Sequence, residues 1–125
     1  MTDTVATFLD PDGSGAHELA AFGEAVAQER SMTETMRWAA SEIDCGGNDV
    51  EHARQVALVA REVIHRGCVF ILGALAASGG ARPVCLDGAQ SRRSADLYAY
   101  LSQHHGGRDA AALGKAALGL RNAAK

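Results

Sequence analysis

Aromatic residues are scarce in this chain, 5% of its length, and only two prolines occur. With few large rings to anchor it, a core here must be assembled from Ala, Leu and Val with backbones close together. Runs of β-branched residues are also few, which disfavours strands and leaves the all-α class. A basic surplus is missing too: the formal net charge is −3 and the isoelectric point about 5.9. Such a chain offers no cationic face to nucleic acid or to an anionic membrane. The longest apolar run, Cys68 to Ala77, is too short to span a bilayer. The N-terminus has neither a basic nor an apolar signal region, which points to a cytoplasmic protein. Cys45, Cys68 and Cys85 are odd in number and form no C-x-x-C pair, so reduced thiols are expected.

What is present is helical patterning. A length of 125 residues fits one domain. Residues 1–13 read as a flexible tail, because D-P-D-G at 10–13 is turn chemistry without periodicity, and residues 14–122 read as a single helical bundle. Ser14 is positioned to cap a helix carrying Leu19, Phe22, Ala25 and Val26. Ser31-Met32-Thr33-Glu34 is a capping-box pattern, so either a second helix starts there or one long helix passes through. Met32, Met36, Ala39 and Ile43 share a face that is out of phase with Val26, and the shift favours a kink or break near Arg30. Asn48 or Asp49 caps the next helix.

That next helix is the strongest periodic signal. Val50, Ala53, Ala57, Ala60, Ile64, Gly67, Ile71, Ala74 and Ser78 recur at spacings of three and four. From Asp49 to Ser78 it would run ~45 Å, the spine of an up-down four-helix-type bundle. Its second half is apolar nearly all round, which calls for cover beyond this chain. Gly79 and Gly80 end it, and Pro83 prevents continuation. A third helix is expected over 91–104 with Ala95, Leu97, Tyr98 and Leu101 inward, and a fourth from Asp109 to about Asn122.

The order of these segments is distinctive. A long helix ends in S-G-G, a short loop leads into Q-S-R-R-S-A-D-L, then S-Q-H-H, and a last helix reads A-A-L-G-K-A-A-L-G. Residues 16–120 in this order resemble the C-terminal helical domain of the acyl-CoA dehydrogenase superfamily, nearest its flavin-dependent monooxygenase branch. The resemblance implies a ligand site at the Gly-Gly end of the bundle, with Ser78, Gly79, Gly80 and Arg92 against a flavin. It also implies a catalytic role for His104, which falls within one residue of the histidine that approaches the flavin in that branch. A neutral imidazole there would donate a hydrogen bond or take a proton.

The chain departs from the pattern as well. The family's N-terminal helical domain and β-domain have no counterpart. Ala95 stands where an arginine usually precedes the aspartate at Asp96, and residues 81–88 carry no catalytic glutamate. The isolated chain is therefore expected to hold no cofactor, with FAD or FMN possible only beside a partner. On the residues alone, His104 also reads as a solvated histidine at a helix C-terminus, and Arg92 as ordinary surface charge.

No metal site is expected. Glu62-x-x-His65 has the spacing of di-iron bundles and Asp49-x-x-His52 repeats it, but both lie on one helix ~20 Å apart along its axis. Surface salt bridging fits them better. Three functions follow. The chain is an oligomerising or partner-docking subunit, either a homo-oligomer or the companion of a flavoprotein. Alternatively it is a small cofactor-free helical enzyme of specialised metabolism acting on a hydrophobic substrate. Or it is a structural interaction module without ligand.

Overall fold

The computed structural model describes residues 15–79, 88–103 and 105–123, with the side chains of 75, 77–79 and 120–123 left aside. These residues form an all-α helical bundle of four helices. They are α1 (Ala16–Cys45), α2 (Val50–Gly79), α3 (Gly88–Ser102) and α4 (Gly106–Ala123). The expected tail, 1–13, lies outside the described residues.

The first helix is continuous, so the break expected near Arg30 does not occur. Glu34, which would have closed a capping box, instead accepts a 2.6 Å bond from Arg37 one turn on. The phase shift has another cause: α1 carries two stripes at the 3.5-residue repeat. Ala21, Ala25, Gln28, Met32, Thr35, Ala39 and Glu42 form the buried and half-buried one. Leu19, Phe22, Val26, Glu29, Thr33, Met36, Ala40 and Ile43 form the other, rotated by roughly a quarter turn. The helix opens at Gly15, whose N–H donates to Glu18 Oε2 at 2.9 Å. Leu19 and Val26 thus belong to one stripe, Met32 and Ala39 to its neighbour.

At the far end, Gly46 N–H closes α1 on the Glu42 carbonyl at 2.8 Å. Gly47 then turns the chain with φ +60°, a conformation that costs other residues energy. Asp49 caps α2, its Oδ1 accepting from His52 N–H at 3.0 Å. The short turn makes α1 and α2 antiparallel. His52 Nε2 meets Glu42 Oε2 at 3.0 Å beside the turn, and Met32 reaches Gly67 further along.

Three helices pack on α2, and among the described residues none of those three packs on another. Burial follows from that arrangement. Val56, Leu58, Ile71 and Leu72 are buried; Gly67 and Cys68 meet Met32 of α1, Arg61 reaches Asp109 of α4, and His65 lies beside Leu97 and Leu101 of α3. Val56, Val59, Val63 and Phe70 are expected to widen the periodic stripe, and of these Val56 is buried and Val59 and Val63 half-buried. On the stripe itself, Val50 is 79% exposed and Ala57 also faces solvent. Ile71 and Leu72 are buried within the chain, whereas Val69 and Phe70 stay 47% and 37% exposed.

Helix α3 starts three residues earlier than expected, and its inner face is Gln90, Ser94, Leu97 and Leu101. Gln90 Nε2 donates to Ser94 Oγ at 3.3 Å, a buried polar pair at spacing four. Leu97 and Leu101 turn inward as expected, but Ala95 and Tyr98 do not; Tyr98 is 56% exposed. Helix α4 follows His105, whose carbonyl accepts from Arg108 and Asp109 N–H at 2.9 and 3.1 Å. Arg61 Nη1 donates to Asp109 Oδ2 at 3.0 Å and ties α4 to α2.

Candidate functional site

The site expected at the Gly-Gly end is only partly visible. Gly79 is the last residue of α2, and Arg92 is exposed on the second turn of α3. The Ser78 side chain, Gly80 and His104 lie outside the described residues. Arg92, on the second turn of α3, and Gln103, just past its last residue Ser102, are eleven residues apart, ~16 Å of helical rise, so Arg92 belongs to a different region from the end that carries Gln103.

That far end borders a half-open cavity of about 410 Å³ between α2 and α3. Ile64, Leu97 and Leu101 give it an apolar wall, and Arg61, His65, Tyr100 and Gln103 a polar rim. Cys68 also lines it, with its thiol donating to Met32 Sδ at 3.9 Å. Burial pushes the Cys68 thiol above its ordinary value, so it stays protonated at neutral pH and is a poor nucleophile. Arg61 is engaged with Asp109. The cavity is large enough for a small molecule with an apolar body and one polar group. Sequence periodicity could not reveal it, because its walls come from two helices whose register only packing sets.

The Glu-x-x-His pairs resolve into local contacts. Asp49 is a helix cap, and His52 bonds Glu42 on the neighbouring helix. Glu62 Oε1 accepts from Arg66 at 2.6 Å, and His65 borders the cavity. Among the described residues, no three His, Cys, Asp or Glu side chains gather as a metal site. No helix among them is long and apolar enough to cross a membrane.

The larger feature is the second stripe of α1. Leu19 is 40% exposed, Val26 42%, Met36 52% and Ile43 46%, although they recur with the regularity of a packing seam. Halfway along it lies an open depression of about 360 Å³ bounded by Val26, Glu29, Arg30, Thr33, Glu34 and Arg37. Two carboxylates and two guanidinium groups thus surround the middle of an otherwise apolar strip.

Comparison with protein-family models, curated proteins and solved structures gave no match to this chain.

Proposed function

We propose that this protein is an oligomerising helical module, working through the surfaces it presents to another chain. The observation that carries this reading is the outer stripe of α1. It holds four large apolar side chains at heptad spacing, and among the described residues α1 packs on α2 alone. A soluble chain that spends Leu, Val, Met and Ile on a regular exposed seam gains most by covering it. In this reading the resemblance to the acyl-CoA dehydrogenase C-terminal domain adds a second docking role. A flavoprotein partner would supply the other domains of that family, and FAD or FMN would bind only beside such a partner.

Light scattering on the purified chain at tens of micromolar tests the reading. Self-association predicts at least twice the 13.0 kDa chain mass. A lone 13.0 kDa particle would defeat it. A second reading, a small apolar ligand held by the chain, is favoured by the cavity between α2 and α3. It predicts a melting temperature that rises with such a ligand by mass action, and that loses the rise in Leu97→Trp, which fills the space.

A further inference from the structure

We infer that the occupant of the α1 outer stripe is a second copy of the same helix, laid antiparallel about a two-fold axis at the level of Ser31. The inference rests on the self-association proposed above and deepens it. In an antiparallel coiled coil each position of one seam type meets the other type on the partner. About Ser31 this places Leu19 against the partner's Ile43, Phe22 against the partner's Ala40, and Val26 against the partner's Met36. Large meets small at Phe22, and medium meets medium elsewhere, so the layers fill evenly.

Charge selects the same direction. Glu29 sits on the seam, and in a parallel pair it would face the partner's Glu29, two like charges forced into a drying interface. Turned antiparallel, Glu29 faces the partner's Thr33. Arg30 and Arg37 bound the same central depression as Glu29 and Glu34. Glu34 is paired with Arg37 within the helix, and about Ser31 Arg30 of each copy comes within one turn of the partner's Glu34, an attraction made twice by the symmetry. The four exposed apolar residues then close over the depression on both sides.

Cross-linking decides the geometry. In a background of Cys45→Ser, Cys68→Ala and Cys85→Ser, Val26→Cys and Met36→Cys are made singly and treated with a short bismaleimide. Antiparallel pairing predicts no covalent dimer from either variant alone and efficient dimer when the two are mixed and exchanged. Self-cross-linking by each variant alone would show a parallel pair. A protein of twice the chain mass with no cross-link in any sample would place the interface elsewhere. Either of those results overturns the antiparallel arrangement and leaves self-association standing, whereas a monomeric mass removes both.

A second pair of variants keeps the native cysteines. Val26→Glu and Met36→Lys, both at exposed positions of α1, should each weaken association by roughly 100-fold, since each charge enters the interface twice. Mixing them should recover at least about 10-fold, because the new charges meet only in the antiparallel arrangement. No recovery on mixing, with each variant still helical by circular dichroism, would contradict the inference.

Discussion

Met32 lies over Gly67: a Cβ added at Gly67 would fall 2.5 Å from the Met32 sulfur and 2.8 Å from its Cγ. The absence of a side chain is what lets α1 and α2 approach at that level, and a flexible thioether fills the space. Gly67 costs α2 helix propensity, and close packing offsets the cost.

A double-mutant cycle on this pair is therefore expected to change sign. Gly67→Ala in the wild type should destabilise by about 1–2 kcal/mol, because Met32 must be pushed aside. In a Met32→Ala background the same substitution should stabilise by up to ~1 kcal/mol, the propensity gain unopposed. Urea unfolding of the four proteins measures both. Additive effects would mean the two residues do not share the space.

The turn between α1 and α2 gives a local test. Gly47 has φ +60°, so Gly47→Ala should cost about 1 kcal/mol, while Gly47→Asn should cost less. Equal stability of the three proteins in thermal melts would mean the turn has another conformation.

Glu51 supplies a titration. Its carboxyl accepts from Arg54 through two bonds of 3.0 Å and from Gln55 at 3.1 Å. The side-chain bonds to Arg54 hold its pKa at about 2, below the ordinary 4.5. A depressed folded value means the contribution is present above pH 4.5 and lost as pH falls toward 2. The pair is exposed, so salt should weaken it. NMR titration should find the Glu51 midpoint near 2, and Arg54→Ala should return it toward 4.5. An ordinary midpoint in the wild type would remove the ion pair.

Thiol reactivity separates two cysteines. Cys45 is exposed at the end of α1, and Cys68 is half-buried with its pKa raised by burial. Mass-mapped labelling at neutral pH should modify Cys45 well before Cys68, with Cys68 following only as the protein opens. Faster labelling of Cys68 would contradict the packing of α2 on its neighbours.

The helices were legible in the sequence for concrete reasons. Asp49 is a cap, and α2 has apolar residues at helical spacing throughout. Two features were hidden. The two stripes of α1 overlap in sequence, and grouping Met36 and Ile43 with Met32 and Ala39 as one face out of phase with Val26 produces a false break, although each stripe is regular alone. In α3, Gln90 and Ser94 are buried with a hydrogen bond between them, which hydrophobic patterning cannot detect. The expected ligand residues Ser78, Gly79, Gly80, Arg92 and His104 came from resemblance, whereas the cavity around Ile64, His65 and Leu97 is made by the packing of two helices, which no sequence pattern reveals.

Sedimentation equilibrium of the wild type and Val26→Glu, from low to high micromolar, tests the central claim most directly. Val26 is 42% exposed, so the substitution leaves the core of the chain intact, and circular dichroism should show the same helix content in both proteins. Self-association through α1 predicts a wild-type mass rising to twice 13.0 kDa, while Val26→Glu stays near 13.0 kDa over the same range. A wild type that remains monomeric, or a variant that associates as tightly as the wild type, would contradict it.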